Sequence, residues 1–228
     1  MKRPIVAIDG PAGAGKSTAA KRLADRLGFT LIDTGALYRA VALAARERGV
    51  DWGDGPALGV LASGLELRFG PLEGRARPPL FIDGSDRSDA IRTPEVSQGA
   101  SIVSAHPEVR EALLGLQRKM GEAGGVVLEG RDIGTVVFPT AEVKVFLTAT
   151  PRARAERRCK ELTARGATAR VEEVEREIRE RDQRDAGRTV APLKQADDAS
   201  VLDTTELDLP AVVDALVRIT RERAPGLR

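Results

Sequence analysis

An α/β fold, with a five-stranded parallel sheet flanked by helices, is predicted by three observations in this 228-residue sequence. Short apolar runs of strand character alternate with segments of helical periodicity, the pattern of a parallel sheet wound with helices. The first run passes directly into a glycine-rich loop and then a helix. Two stretches of different texture interrupt the alternation, so the sheet is expected to carry a small antiparallel insert and a helical lid.

The first strand is PIVAID, Pro4 to Asp9, a run apolar enough to be covered on both faces. GPAGAGKST follows, and the residues Gly10, Pro11, Ala12, Gly13, Ala14, Gly15, Lys16, Ser17 and Thr18 fit the phosphate-loop pattern G-x-x-x-x-G-K-[ST]. Glycine at three of these positions permits backbone in which successive N–H groups face a phosphate. Lys16 is placed to reach the β- and γ-phosphates, and Ser17 offers a hydroxyl to magnesium at a helix N-terminus that favours anions. The helix STAAKRLADRLG runs to a stop at Gly28. Nucleoside triphosphate binding is the direct reading.

A second strand, Phe29 to Ile32, leads into LIDTGALYRA, where Asp33 and Thr34 end the strand and a helix carries Tyr38 and Arg39. Ligands of parallel sheets lie outside the carboxyl ends of the strands, so Arg39 is a candidate for an acceptor phosphate. From Asp51 to Arg92, turn signals alternate with the short strand candidates LELRF and PPLFIDG, which reads as an antiparallel insert. The strand Gly125 to Leu128 delivers LEGRDIGTVVFP, placing Arg131 and Asp132 at the same sheet edge. Together they offer donors and acceptors, as a ligand with both a phosphate and a hydrogen-bonding base requires. Glu129 stands where phosphate-loop enzymes place a metal-linked acid.

Val143 to Thr148 and Ser200 to Leu202 supply the remaining strands. Between them, Thr150 to Arg188 is charged helix with Glu172/Arg176, Glu175/Arg179 and Glu177/Arg181 at i,i+4 spacing. A polar helical hairpin beside a nucleotide site reads as a lid. Arg181, Asp185 and Arg188 fall on one helical face if the helix continues, and spacing alone fits a solvated ion-pair ladder as well as a ligand site.

Composition bounds the class. Apolar residues make up 42% and charged residues 31%, ordinary for a globular protein, and no apolar run reaches membrane-spanning length. A cytoplasmic monomer with no membrane partner is the default expectation. Cys159 is the only cysteine, so no intrachain disulfide can form. The cations are 29 arginines and 7 lysines at a net charge of +2. His106, the only histidine, precedes Pro107 at a helix start and reads as structural.

The combination of GPAGAGKST, IDTGALYR, GRDIGTVVFPTA, TPRARAERR and RERDQRDAGR resembles the bacterial cytidylate kinases, in the family's order from Ile5 to Thr204. The resemblance implies a phosphate-loop nucleoside monophosphate kinase fold. Its core would take residues 1–33, 104–149 and 189–228, its monophosphate-binding insert 34–103 and its lid 150–188. It implies ATP and CMP or dCMP as substrates, with magnesium and no nucleic-acid polymer. Lys16, Arg131, Arg157 and Arg188 are the catalytic cations it implies, and Arg154, Arg157 and Arg158 lie near ATP. Ser101, Arg110 and Asp132 would contact cytosine, Arg181 and Asp185 the sugar, and Arg39, Arg131 and Arg188 the acceptor phosphate. Asp33, Thr34 and Tyr38 fall within the same acceptor-binding set.

Three other functions fit the sequence less well. A kinase for AMP, UMP or a non-nucleotide acceptor shares the phosphate loop, but GRDIGTVVFP argues against it. A GTP switch needs an N-K-x-D signature, which a chain without asparagine cannot supply. An RNA-binding module needs stacking surfaces, and aromatic residues are only 3%.

Overall fold

The computed structural model describes residues 3–75, 77–164, 166 and 168–226. Strand β1 (Ile5–Asp9) is buried along its whole length, as its unbroken apolar run requires, and helix α1 (Lys16–Leu27) follows the loop. Strand β2 (Thr30–Asp33) begins one residue later than its apolar run, and helix α2 (Thr34–Glu47) starts at once because Asp33 caps it, Oδ1 accepting the Ala36 N–H at 3.1 Å. Helix α3 (Gly55–Gly64) is capped in the same way by Asp54.

The short strands β3 (Leu67–Phe69), β4 (Leu80–Ile82) and β5 (Ser85–Asp86) form an antiparallel sheet, with Arg68 opposite Phe81 and Phe81 opposite Asp86. A 3₁₀ turn (Ala90–Arg92) precedes helices α4 (Pro94–Val103) and α5 (Pro107–Gly121). Both carry proline in the first turn, where the missing N–H costs no hydrogen bond. His106 is the N-cap residue of α5, and its Nε2 lies 2.8 Å from the Trp52 carbonyl oxygen, a structural position.

Strand β6 (Val126–Gly130) is longer than its apolar run and takes in the buried Glu129. It gives way to a single wide helical turn (Ile133–Val137) and then to β7 (Val143–Thr148). The charged segment forms two helices, α6 (Pro151–Thr163) and α7 (Val171–Ala186), packed through a small apolar cluster of Ala155, Cys159, Val174 and Ile178. Strand β8 (Ser200–Asp203) and helix α8 (Leu209–Arg223) complete the chain.

The predicted five-stranded parallel sheet has the order β2-β6-β1-β7-β8. In register, Ile5 pairs with Val126, Val6 with Val143 and Val145 with Ser200. The chain separates into two compact units, residues 1–30 with 123–228, and residues 31–122. The division falls inside β2, whose first residue Thr30 donates its N–H to the Gly125 carbonyl at 2.9 Å. The second unit has its own core, in which Leu37, Leu43, Leu58, Ile91 and Leu113 are almost wholly shielded from solvent.

Two details of the charged helices differ from the spacing argument. Glu175 and Arg179 pair at 2.6 Å as expected, but Glu172 is engaged by Arg152 across the hairpin at 3.3 Å. Helix α7 also ends at Ala186, with Gly187 as its C-cap. Arg188 is therefore not on the helical face that its spacing suggested.

Candidate active site

The phosphate loop leaves β1 against the backbone of β7. A Cβ on Gly10 would lie 2.0 Å from the Leu147 carbonyl oxygen, and the residue has φ +147°, so only glycine fits. Inside the loop, Lys16 is buried and donates Nζ–H to the Pro11 carbonyl at 2.7 Å. Burial and the nearby Arg131 charge pull its ammonium well below the ordinary lysine value. Ser17 Oγ donates to Glu129 Oε2 at 2.7 Å, joining the loop's hydroxyl to the acid at the end of β6. Ala14 is buried, and Thr18 faces solvent on α1.

Asp9, the last residue of β1, is a buried carboxylate that binds a neighbouring loop. Its oxygens accept the N–H groups of Ile133 at 2.8 Å and Gly134 at 2.7 Å. Burial pushes its carboxyl up to about 6 despite these two donors, with the Asp132 charge adding to the rise. The residue before the phosphate loop thus fixes the turn that follows Arg131 and Asp132.

Asp185 gathers arginines from two other stretches of the same unit. Arg131 Nε donates to it at 2.9 Å, Arg188 at 2.5 Å, and Arg181 Nε stands 4.0 Å away. Burial alone would raise the Asp185 carboxyl, but Arg131, Arg188 and Arg181 hold it below the ordinary aspartate value. Three guanidiniums around one carboxylate leave a positive surplus that can attract an anion. Arg188 reaches this cluster from beyond the helix end and not from the helical face.

Among the lid arginines, Arg154 is buried and donates to the phosphate loop itself, at the Ala12 carbonyl (2.9 Å), while pairing with Asp182 at 2.7 Å. Arg157 instead donates to Thr204 Oγ1 at 2.9 Å, and Arg158 pairs with Glu161 at 3.1 Å near the surface. Arg154 is the one of the three that these contacts bring to the loop.

In residues 31–122 a second buried carboxylate collects arginines. Asp33 caps α2 through Oδ1, while Oδ2 faces Arg39 at 2.7 Å, Arg92 at 3.5 Å and Arg77 at 3.6 Å. Burial opposes ionisation of Asp33, but Arg39, Arg92 and Arg77 keep it below the ordinary value. Thr34 is buried beside it as the first residue of α2. Arg110 lies over the Tyr38 ring at 5.4 Å and donates to the Ser104 carbonyl at 3.1 Å. Ser101 is buried, and its Oγ has no hydrogen-bond partner among the described residues.

Sequence reasoning passed over Asp9, Asp182, Arg77 and Arg92. Asp9 lies one residue before the phosphate motif and bonds a turn far along the chain. Arg77 and Arg92 sit in loop and turn positions that no motif marks, and only the chain path brings them to Asp33.

The family model described as cytidylate kinase matches residues 6–222. A cytidylate kinase of Exiguobacterium sibiricum is 53% identical over 219 residues, covering 96% of this chain and 97% of that protein. One from Pseudomonas aeruginosa PAO1 is 51% identical over 215 residues, 94% of each chain. An uncharacterized protein from Eubacterium ventriosum of known structure shares the fold at a TM-score of 0.53 and 13% identity, over 97% of this chain and 99% of its own.

Proposed function

The chain belongs to the cytidylate kinase family and transfers the γ-phosphoryl group of ATP to CMP or dCMP, giving ADP and CDP or dCDP, and we propose how its residues divide that work. Residues Gly10 to Thr18 cradle the donor polyphosphate with backbone N–H groups, and Lys16 exchanges its bond to the Pro11 carbonyl for one to a phosphate oxygen. Arg39, Arg131 and Arg188 hold the acceptor phosphate, and Arg181 and Asp185 bind the sugar. Residues 34–103 act as the monophosphate-binding insert and 150–188 as the lid, on a core of 1–33, 104–149 and 189–228. The observation that carries this reading is the convergence of Arg131, Arg181 and Arg188 on the buried Asp185.

Such a site needs no general base. The second pKa of a phosphate monoester is about 6, so the attacking oxygen is already largely ionised at neutral pH. What remains is to align two anions and offset charge as the phosphoryl group moves, which Lys16, Arg131, Arg188 and Arg157 perform. Closure of the lid, bringing Arg154, Arg157 and Arg158 toward ATP, excludes the water that would otherwise hydrolyse it.

Ser101, Arg110 and Asp132 read cytosine. An aspartate suits its N4 amino donor, and an arginine suits N3 and O2. Uracil reverses the donor and acceptor at two of these positions, at a cost of roughly 1–3 kcal/mol for each mispaired buried group. Ser101 Oγ, buried and without a hydrogen-bond partner among the described residues, supports the assignment, because a buried hydroxyl is rarely left without a use.

Magnesium suits the donor set. Among the described residues no three acidic, histidine or cysteine side chains gather to cage an ion, whereas the hard oxygens of Ser17 and Glu129 stand together. That arrangement fits a cation held mainly by nucleotide phosphates and water. Ser17 would hold it, backed by Glu129, and the ion supplies charge neutralisation at the β- and γ-phosphates. Among the described residues no helix is long and apolar enough to cross a membrane, and we place the enzyme, as a monomer, in the cytoplasm.

The test is ADP formation from ATP with CMP, dCMP, UMP, AMP or no acceptor. CMP and dCMP are expected to be used at least about tenfold better than UMP or AMP, with slow hydrolysis when no acceptor is present. Equal rates with all four nucleotides would remove the base-recognition argument.

A further inference from the structure

We propose that Arg92 and Arg77 are phosphate-binding residues, completing with Arg39 a three-guanidinium site for the acceptor phosphate built on the buried carboxylate of Asp33. The inference rests on Arg39 as an acceptor-phosphate ligand and extends it to two residues outside the recognised motifs.

The geometry is that of an anion site rather than a closed structural ion pair. One oxygen of Asp33 is used to cap α2, which leaves Oδ2 facing all three arginines. Arg39 takes it at 2.7 Å, while Arg92 and Arg77 remain at 3.5 and 3.6 Å, outside good hydrogen-bond range. Three full positive charges face one negative charge. The surplus has the sign that a phosphate monoester, dianionic above its second pKa of about 6, requires.

A surplus of this kind is unfavourable where water is partly excluded. The Asp33 side chain is only 7% exposed, and Arg39 and Arg92 are 18% and 28% exposed. Burial and then the Arg39 charge pull the Arg92 guanidinium below its ordinary value, the direction expected when like charges crowd. Arg39 Nε is buried and has no hydrogen-bond partner among the described residues, so this fork retains a donor for another acceptor. An incoming phosphate offers three oxygens to these planar forks and relieves their repulsion.

The elements carrying the two residues explain the placement. Arg92 ends the 3₁₀ turn whose Ile91 is wholly buried in the core of this unit, so its Cα is fixed. Arg77 precedes β4, the central strand of the small antiparallel sheet. Arg39 projects from α2 within the two turns that follow the Asp33 cap.

The test compares binding of CMP and cytidine to the full chain by calorimetry, for wild type, Arg39→Gln, Arg77→Gln, Arg92→Gln and Arg92→Lys. Because cytidine lacks the phosphate, the ratio of the two affinities isolates the phosphate contact. Arg92→Gln is expected to lower that ratio about tenfold or more and Arg77→Gln several-fold, with cytidine affinity kept within about twofold. Arg92→Lys should recover part of the loss, and it carries the test if the glutamine variant does not fold: a ratio equal to wild type in it would then count against a fork-specific contact. If Arg39→Gln lowers the ratio while Arg92→Gln and Arg77→Gln leave it unchanged, the inference is wrong and the reading of Arg39 stands. If Arg39→Gln also leaves it unchanged, Asp33 does not anchor an acceptor-phosphate site at all.

Discussion

Asp9 is harder to ionise in the folded protein than in the unfolded chain, and that has a measurable sign. Its carboxyl is pushed from 3.8 up to about 6, chiefly by burial. The folded state therefore binds more protons than the unfolded chain between those values, and stability from this group is full below about pH 4 and lost as pH rises through 6. The shift corresponds to roughly 3 kcal/mol at neutral pH. Urea unfolding from pH 4 to 7 should show this decline in the wild type and lose it in Asp9→Asn. Parallel profiles for the two proteins would show that Asp9 does not titrate in this way. The Ile133 and Gly134 N–H groups, each donating to one Asp9 oxygen, offset part of the cost of burying its charge. Nothing local in the sequence marks Asp9, since an aspartate at the end of β1 gains its role only from a turn some 124 residues away. Lys16, by contrast, was legible at once, because the loop it bonds is also next to it in sequence.

At the scale of the element, the charged hairpin was legible as two helices but not in its ion-pair pattern. An i,i+4 spacing states which side chains can meet on one helix, and Glu175 and Arg179 do so. It does not state which face the partner helix covers, and Arg152 on α6 takes Glu172 across the hairpin. The end of α7 was missed for a similar reason, since Gly187 ends it while charge periodicity runs on to Arg188. Arg154 ties the base of this hairpin to the phosphate loop through the Ala12 carbonyl and to α7 through Asp182. We propose that a hairpin held at its base in this way pivots as a lid. Amide exchange across α6 and α7 is therefore expected to slow when a non-hydrolysable ATP analogue and CMP are both present, and more than with either alone. No change with both ligands would rule out a closing lid.

For the molecule as a whole, the five-stranded parallel sheet and the antiparallel insert followed from where apolar runs stop and turn residues begin, and the structure bears both out. The candidate site was legible where a motif carries it, as in the phosphate loop and the stretches with Arg131 and Arg188. It was not legible where the fold alone assembles it, as with Arg77 and Arg92 around Asp33. Each compact unit holds one buried aspartate ringed by three arginines, Asp185 in one and Asp33 in the other. Such clusters are costly to fold, since a buried ion-pair network gives little net stability. We propose that their use lies in fixing guanidinium forks before the ligand arrives, so that little reorganisation remains at the moment of transfer.

That claim is tested most directly by the steady-state kinetics of Arg188→Ala with CMP, alongside its thermal unfolding. Loss of one charged phosphate contact is expected to lower kcat/KM about 30-fold or more, while the unfolding midpoint moves by only a few degrees because Arg131 still pairs Asp185. A variant with near wild-type kcat/KM, whatever its melting temperature, would mean that Arg188 serves the stability of the Asp185 cluster and not the recognition of the acceptor.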